Sequence, residues 1–365
     1  MMGRREIRIV VSGGGTGGHL FPGIAVAEEV MARYPGSEVL FVGTGRPTDE
    51  RVLAGKKFTK TSIRCAGLKG KSLWQKMSAM VQLPLATFAA ARLMRAFRPR
   101  VVLGVGGYVT GPVLLAARLL GVPTCIHEQN SVPGMANRKL GRMVDRVFLS
   151  IPGSERYFPP EKCVLTGNPL RQELMRAAAA ALPVRKKKTL LVLGGSLGAH
   201  RINTLMVEAM ELLMKGTMEG LKIIHQTGPA DEIMVGEGYR ENGVEAEVAP
   251  FFDDMAGLYA GADLVVSRAG ATSLAEMTLF GLPMILIPYP FAADDHQRKN
   301  GEYLVRGGAA QLFDQDALTP GKLADAIGKL INDPEKMAQM GRAAKKFARP
   351  DATGEIVAQC VNLIQ

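Results

Sequence analysis

A glycine-rich turn that ends in a histidine is the first place in this 365-residue sequence where residue types and spacing suggest chemistry. In SGGGTGGHLFPG, residues 12–23, five glycines precede His19 at the end of a predicted strand. Glycines let a ligand approach the backbone closely, and a positioned imidazole can take a proton from an attacking hydroxyl. His19 is therefore a candidate general base, with a structural histidine as the alternative. Pro22 is expected in the first turn of the following helix.

Two nucleotide-binding motifs do not fit this turn. A dinucleotide-binding turn needs an acidic residue at the end of the second strand, about 20 residues further on, to hold the ribose. Here the second strand, EVLFVG, ends at Gly43 and continues with Thr44 and Gly45. A Walker loop needs Gly-Lys-Ser/Thr after the glycines, and His-Leu-Phe stands there instead. The glycines are therefore interpreted as a surface for close approach of a ligand.

A better diphosphate site is predicted in the second half, at SRAGATSLAEMTLFGLP. Small residues from Ala269 to Ser273 would let a diphosphate reach a helix N-terminus, and Glu276 could accept both ribose hydroxyls. The alternative is a helix that merely tolerates an acid in its first turns. Further on, IPYPFAADDHQRKN offers Asp295, His296 and Gln297 at another strand end.

Two aspartate pairs raise the question of a metal. Asp253-Asp254 and Asp294-Asp295 each precede an apolar helical stretch. Because aspartate is a preferred residue at helix N-caps, we interpret both pairs as caps and predict no metal site.

Polar residues also follow two further strands of the first half. GVGGYVTGP, residues 104–112, is one such cluster, and HEQNSVPGMANR, residues 127–138, is the other. In the alternative interpretation, Asn130 or Ser131 does no more than cap a helix or turn. Converging polar loops at three strand ends are better explained by a ligand than by three separate caps.

The elements that must position these residues follow an α/β pattern. Short apolar runs alternate with helical patterns: IRIVV, EVLFVG, RVVLGVGG, VPTCIHEQN, TLLVLGG, KIIHQTG, ADLVVSRAG and PMILIP. Such runs predict parallel sheets covered by helices on both faces. Two of them, IRIVV and TLLVLGG, lead into a glycine turn and then a helix. Each such unit would open its own domain, which indicates two Rossmann-like, doubly wound domains facing across a cleft. The predicted boundaries are 1–170 and 171–344, with a C-terminal helix in 345–365 joining the first domain.

Composition restricts the partners and the compartment. The formal net charge of +11 predicts an anionic partner, namely a nucleic acid, an anionic membrane surface or a phosphorylated substrate. The cysteines Cys65, Cys125, Cys163 and Cys360 form no CxxC pair, so neither zinc binding nor a disulfide framework is indicated. Neither a secretion signal nor a membrane span is predicted, and we expect a reducing, cytosolic compartment.

The segment 67–100 mixes basic and apolar residues. Attachment to an anionic membrane surface and an ordinary amphipathic core helix explain this mixture equally well. The residues selected for membrane contact are Lys69, Lys71, Trp74, Met77, Met80 and Val81.

A family resemblance is carried by a series of spaced motifs that runs to about residue 301: GGGTGGHLFPGIAVA, GGYVTGP, HEQNSVPGMANR, GNPLR, GGSLGAHRIN, HQTG, FFDDM, SRAGATSLAE and DDHQRKN. With them the chain resembles the MurG family, the peripheral membrane glycosyltransferases of peptidoglycan synthesis with the GT-B fold. The resemblance implies transfer of N-acetylglucosamine from UDP-GlcNAc to the C4 hydroxyl of lipid-linked N-acetylmuramyl-pentapeptide, with inversion. It implies no cofactor, no metal, no nucleic acid, a location on the cytoplasmic face of the bacterial inner membrane, and other cell-wall synthesis proteins as partners.

The resemblance also assigns roles by motif. His19 would be the general base. The donor would contact Thr16, Gly17, Gly18, Asn130, Arg171, Ser196, Phe252, Ala271, Thr272, Ser273, Leu274, Ala275, Glu276, His296 and Gln297. The acceptor would contact Gly14, Gly15, Gly107, Tyr108, Thr110 and His127. The first domain would face the membrane and the acceptor, and the second would bind the UDP-sugar.

Some positions depart from the family pattern. Leu197 stands where glutamine is usual, which removes a polar contact to the donor, whereas Thr110, Ser273 and Gly301 are conservative changes. The alternatives are another GT-B enzyme, such as a glycolipid glycosyltransferase or a UDP-GlcNAc 2-epimerase, and a non-catalytic nucleotide-sugar or nucleic-acid binding module.

Overall fold

The apolar runs form parallel strands in a computed structural model, which describes residues 6–63, 73–180, 187–195, 198–214 and 220–365. The chain divides into two compact units. The first unit is Met1–Gln172 with Arg349–Gln365, and the second unit is Glu173–Ala348.

Each unit contains one parallel sheet. The first unit holds β1 (Arg8–Gly13), β2 (Glu38–Gly43), β3 (Thr59–Ser62), β4 (Val101–Gly106), β5 (Thr124–Glu128), β6 (Arg146–Leu149) and β7 (Cys163–Leu165) in the order β3-β2-β1-β4-β5-β6-β7. The second unit holds β8 (Lys188–Leu193), β9 (Leu221–Gln226), β10 (Ala246–Ala249), β11 (Leu264–Ser267), β12 (Met284–Leu286) and β13 (Ala310–Leu312) in the order β10-β9-β8-β11-β12-β13.

Helices connect these strands. They are α1 (Gly17–Arg33), α2 (Pro47–Leu53), α3 (Leu73–Phe97), α4 (Thr110–Leu119), α5 (Met135–Leu140), α6 (Gln172–Ala179), α7 (His200–Met214), α8 (Glu232–Glu241), α9 (Met255–Gly261), α10 (Ala271–Phe280), α11 (His296–Arg306), α12 (Pro320–Ile331), α13 (Pro334–Lys345) and α14 (Ala352–Asn362). Single 3-10 turns occur at Glu155–Tyr157, Pro160–Lys162 and Ala293–Asp295.

The pleat of β1 sends alternate side chains to two hydrophobic cores of the first unit. Ile9 and Val11 belong to the core covered by α1 and α14, whereas Val10 belongs to the core covered by α3 and α4. Successive side chains of a strand point to opposite faces, so a strand buried on both sides must be apolar throughout.

The second unit is built the same way. Leu190 and Val192 of β8 lie in a core with residues of α7 and α12, whereas Leu191 and Leu193 are buried outside that cluster. The predicted α/β class with two Rossmann-like, doubly wound domains is thus confirmed.

The strand order creates one switch point in each sheet. β1 and β4 are neighbours whose chains continue to opposite sides, towards β2 and towards β5, and β8 and β11 have the same relation in the second unit. Ligands of open α/β sheets bind outside the carboxyl ends of the strands at such points. The loops after these four strands are therefore the places where a site is expected.

Candidate functional site

His19 lies in the first turn of α1, directly after the glycine turn of β1. Thr16 is the N-cap, and its hydroxyl oxygen lies 3.4 Å from Nδ1 of the half-buried His19. The helix begins at Gly17, so the expectation that Pro22 lies in its first turn is wrong. The extended backbone of Thr16 starts the helix one turn earlier, which places Thr16, Gly17 and Gly18 beside the histidine.

The loop after β4 packs closely against the His19 ring. A Cβ added at Gly106 would lie 2.6 Å from Cδ2 of His19, and one added at Gly107 would lie 2.5 Å from the carbonyl oxygen of Gly14. Both glycines have positive φ, 108° and 88°. No other residue fits these two positions without moving the imidazole or the turn.

A carboxylate that the motifs did not reveal holds the glycine turn from the other side. Asp49 of α2 is buried and accepts hydrogen bonds from the N–H of Gly15 at 2.9 Å and from the N–H and hydroxyl of Thr44 at 2.9 and 2.6 Å. The turn that carries His19 is thus held between the loops that follow β2 and β4.

The loop after β4 also contains two of the predicted acceptor residues. The Tyr108 side chain is half exposed. Thr110 is buried, and its hydroxyl lies 2.9 Å from the carbonyl oxygen of Gly106 and 3.2 Å from that of Ser12. The buried Thr110 hydroxyl therefore links β1 to the Gly106 turn by hydrogen bonding.

The end of β5 is a network of buried polar groups. Nε2 of His127 lies 3.1 Å from the carbonyl oxygen of Gly167 and 3.0 Å from the Ser150 hydroxyl. Burial, with a smaller contribution from the nearby His19, lowers the pKa of His127 to about 4, although the bond to Gly167 opposes the shift. His127, predicted to contact the acceptor, is therefore neutral and fully enclosed.

Glu128 organises the next residues of this loop. Its carboxylate accepts bonds from the backbone N–H and the side-chain amide of Asn130, at 2.9 and 3.2 Å, and from the amide of Asn137 at 2.8 Å. Burial raises the pKa of Glu128, while these donors oppose the rise. Asn130 is thus fixed by a neighbour that the sequence had not singled out.

Arg171 also belongs to the first unit, where its guanidinium lies 4.5 Å above the Phe21 ring of α1. The described residues that were predicted to contact the donor or the acceptor fall into two groups, one in each unit. The group of the first unit surrounds the β1–β4 switch point.

The loop after β11 leads into α10 in the second unit. Ala271, Thr272, Ser273, Leu274 and Ala275 form its first turns, with Gly270 as the N-cap. Glu276 is buried, and one of its carboxylate oxygens accepts a bond from the Tyr259 hydroxyl at 2.9 Å. The dipole of α10 makes this end of the helix favourable for an anionic group.

Arg268, which the motifs did not single out, braces the same loop. Its guanidinium donates to the carbonyls of Ile287 and Pro288, at 3.0 and 3.1 Å, and to the Gln315 side chain at 2.7 Å. Burial lowers the pKa of Arg268 to about 10, so it stays charged at neutral pH. It ties the ends of β11, β12 and β13 together.

Gln226, the last residue of β9, joins two further loops. Its amide nitrogen donates to the carbonyl of Gly195 at 3.3 Å, and its amide oxygen accepts from the N–H of Phe252 at 3.1 Å. Phe252 is thus positioned through its backbone. Ser196 and Leu197 lie outside the described residues.

The loop before α11 has unusual backbone geometry. Asp294 and Asp295 both have φ of 54°, a left-handed conformation that is costly for residues other than glycine. It brings Nδ1 of His296 within 2.8 Å of the Ala293 carbonyl and Oε1 of Gln297 within 2.9 Å of the Tyr289 N–H.

The aspartate pairs differ in how they cap. Asp254 is the N-cap of α9 and accepts a bond from the Gly257 N–H at 2.8 Å, which confirms that prediction. Asp295 is the N-cap of α11 but makes no capping side-chain bond, and it pairs with Arg298 at 3.3 Å instead. Within the described part of the chain, no group of three or more His, Cys, Asp or Glu residues could hold a metal ion.

The residues selected for membrane contact are not described in full. Lys69 and Lys71 lie outside the described residues, and the side chains of Trp74, Met77, Met80 and Val81 do too, although α3 includes their backbone. In the described part of α3, Leu83, Leu85 and Phe88 are exposed. No helix among the described residues is long and apolar enough to cross a membrane.

Two family models match the chain, the glycosyltransferase family 28 N-terminal domain at residues 9–149 and the C-terminal domain of the same family at 189–356. The chain belongs to glycosyltransferase family 28. The matched segments contain both switch-point sites, and the chain is thus a glycosyltransferase.

Individual relatives narrow the similarity to MurG, as the motifs predicted. A Desulfotalea psychrophila protein named UDP-N-acetylglucosamine--N-acetylmuramyl-(pentapeptide) pyrophosphoryl-undecaprenol N-acetylglucosamine transferase is 49% identical over 99% of this chain and 98% of its own length. The crystal structure of Acinetobacter baumannii MurG has a TM-score of 0.77 at 31% identity and covers 97% of this chain and 99% of that one. A UDP-N-acetylglucosamine 2-epimerase structure shares only the fold, at 14% identity, a TM-score of 0.68 and 97% and 95% coverage.

Proposed function

We propose that this family 28 enzyme transfers N-acetylglucosamine from UDP-N-acetylglucosamine to the C4 hydroxyl of undecaprenyl-diphosphate-linked N-acetylmuramyl-pentapeptide, with inversion, and so serves peptidoglycan synthesis, cell shape and division. The observation that carries this proposal is the similarity, over nearly the full length of both chains, to a relative named for that transfer.

His19 is the proposed general base. Its Nδ1 lies near the Thr16 hydroxyl, so a proton on Nδ1 can be donated to Thr16 while Nε2 accepts the proton of the attacking C4 hydroxyl. The bond from that oxygen to the anomeric carbon then forms as the bond to UDP breaks. Base catalysis of this kind contributes typically about 10²- to 10⁴-fold in rate. The remaining proposed acceptor contacts are Gly14, Gly15, Gly107 and Tyr108, whereas the buried Thr110 and His127, also predicted as contacts, would support these loops from beneath.

The second unit is the proposed donor site. The diphosphate would lie at the N-terminus of α10, whose dipole stabilises the charge that develops on the leaving UDP. Glu276, which accepts a bond from the Tyr259 hydroxyl, would hold the ribose by exchanging that bond for the ribose hydroxyls. The remaining proposed contacts are Ser196, Phe252, His296 and Gln297, with Arg171, Asn130, Thr16, Gly17 and Gly18 from the first unit.

The proposed location is the cytoplasmic face of the bacterial inner membrane. Leu85 and Phe88 of α3 are each more than 60% exposed, and the exposed Arg92 and Arg95 follow on the same helix. Apolar side chains beside arginines favour attachment to an anionic lipid surface. Replacing Leu85 and Phe88 with Asp should therefore weaken cosedimentation with phosphatidylglycerol vesicles. Unchanged binding would exclude this part of α3 as the contact surface.

A transfer assay tests the reaction. Purified protein should move labelled N-acetylglucosamine from UDP-N-acetylglucosamine onto lipid-linked muramyl-pentapeptide and release UDP. Release of free N-acetylmannosamine without a lipid product would favour the epimerase alternative, and a glycolipid product would favour another GT-B transferase.

A further inference from the structure

Asp49 is a buried carboxylate near His19 to which the proposed reaction gives no part. The Asp49 side chain is 1% exposed and accepts three hydrogen bonds at 2.6–2.9 Å, from the N–H of Gly15 and from the N–H and hydroxyl of Thr44. A buried carboxylate is costly unless donors satisfy it, and here three donors do so.

Asp49 and the glycine turn fit each other closely. A Cβ at Gly14 would lie 2.4 Å from Oδ2 of Asp49 and 3.2 Å from the backbone nitrogen of Thr44. On the opposite side of Gly14, the space is filled by Gly107. The turn is therefore held on both sides. On one of these sides the contact comes from a single side chain, Asp49, which can be replaced by mutation.

The connection from Asp49 to the imidazole is short. Gly15, which Asp49 holds, is followed by Thr16, the N-cap of α1 whose hydroxyl lies beside Nδ1 of His19. The backbone N–H of His19 also donates to the Thr16 carbonyl at 3.2 Å. A shift of Gly15 would therefore move Thr16 and, with it, the imidazole.

We propose that Asp49 is a positioning residue for His19, holding the Gly14–Gly15 turn so that the imidazole meets the acceptor hydroxyl in a reactive geometry. This inference rests on the proposed function of His19 as the base. Asp49 touches neither substrate in this proposal, and it acts only through the turn. Misplacement of a catalytic group by about 1 Å can cost on the order of 10²-fold in rate.

The chain contains a matched control for the local structural effect. Asp145 accepts bonds from the N–H and hydroxyl of Thr124, at 2.8 and 3.0 Å, as Asp49 does from Thr44. Thr124 begins β5, so this pair lies at the amino edge of the sheet, opposite to the edge where His19 lies. Asp145→Asn therefore removes a carboxylate with the same two threonine donors, without touching the turn, although Asp145 is less buried and also pairs with Arg118 at 3.5 Å.

The experiment compares Asp49→Asn with Asp145→Asn in the full chain. An amide cannot accept at both of its ends, so Asp49→Asn should lower kcat about 10- to 100-fold. KM for UDP-N-acetylglucosamine should change by a clearly smaller factor, because only Thr16, Gly17 and Gly18 of the proposed donor contacts lie near this turn. Hydrogen exchange of the peptide spanning residues 12–20 should accelerate at least about tenfold in this variant alone. Equal kcat values for the two variants, or an equal loss in kcat and donor affinity, would overturn the proposal.

A second pair of variants covers the case in which Asp49→Asn does not fold. Thr44→Val removes one of the three bonds to Asp49, and Thr124→Val removes the corresponding bond to Asp145. Only Thr44→Val should lower kcat, by about threefold, and equal kcat values for this pair overturn the proposal. If wild-type protein transfers no sugar, the proposed function fails, and the hydrogen exchange of residues 12–20 still decides whether Asp49 holds the turn.

Discussion

Adding a single methyl group at Gly106 should displace His19, the proposed general base. A Cβ at this position would lie 2.6 Å from Cδ2 and 2.9 Å from Nε2 of His19, whereas ordinary van der Waals contact begins near 3.4 Å. The φ of Gly106 is 108°, so alanine is also strained there. Gly106→Ala therefore combines a steric push on the imidazole with a backbone cost.

The size of the effect follows from these distances. The imidazole must move by roughly 1 Å to restore normal contact, and a misplacement of that size costs on the order of 10²-fold in rate. The backbone strain adds about 1–3 kcal/mol to the loss of folding stability. We expect kcat to fall about 100-fold while KM for UDP-N-acetylglucosamine stays nearly unchanged, because the proposed diphosphate and ribose contacts belong to the second unit.

The assay is steady-state transfer to a lipid-linked acceptor, with thermal unfolding measured on the same samples. Gly153→Ala is the matched control, since Gly153 has a similar φ of 89° but a Cβ there meets nothing within 4 Å. His19→Ala gives the rate that remains without the imidazole. The reasoning is refuted if Gly106→Ala keeps kcat within threefold of Gly153→Ala.

Two further predictions concern the second unit and pH. Gln226→Glu replaces the amide that donates to Gly195 with a carboxylate, so KM for UDP-N-acetylglucosamine should rise about tenfold with kcat little changed. The control is Gln311→Glu in an edge strand, for which KM should not change. An unchanged KM in Gln226→Glu would contradict this prediction. Burial lowers the pKa values of His127 and His225 to about 4 and about 3, below the value near 6.5 in the unfolded chain. The two neutral histidines therefore contribute fully to folding stability above pH 6.5, and this contribution is lost as the pH falls towards the folded pKa values. Urea unfolding should show a loss of about 2 kcal/mol per histidine at pH 5 relative to pH 8, and His225→Gln should remove one of these two contributions; an unaltered pH dependence in that variant would contradict the assignment.

The sequence predicted the central strands well because they carry the strongest signal. β1, β2, β4, β5, β8, β9, β11 and β12 coincide with the apolar runs. The sequence analysis did not identify the short strands β3, β6, β7, β10 and β13. In the edge strands β3 and β10, exposed residues such as Thr59 and Glu247 interrupt any apolar run. A strand buried on one side or less has no continuous hydrophobic pattern to find.

The sequence singled out candidate site residues where motifs place polar side chains close to glycines. It did not reveal the residues, distant in sequence, that support the same loops. His19 and Glu276 stand inside recognisable turns. Asp49 lies 34 residues from Gly15, the residue it holds, and nothing in PTDERVL marks its carboxylate as buried. Such contacts depend on which strands are neighbours, and local sequence does not contain that information.

The glycine turns after β1 and β8 differ in which of their backbone atoms form hydrogen bonds to a supporting side chain. In the first unit, Asp49 takes the N–H of Gly15, the type of group that an anion-binding turn would present to a phosphate. In the second unit, the neutral side-chain amide of Gln226 donates to the carbonyl of Gly195, so this support adds no negative charge to that turn. A carboxylate under a turn also repels a nearby anion, whereas a neutral amide does not. Asp49 therefore makes the first turn a less favourable place for a diphosphate than the second, although both turns begin as a strand followed by glycines.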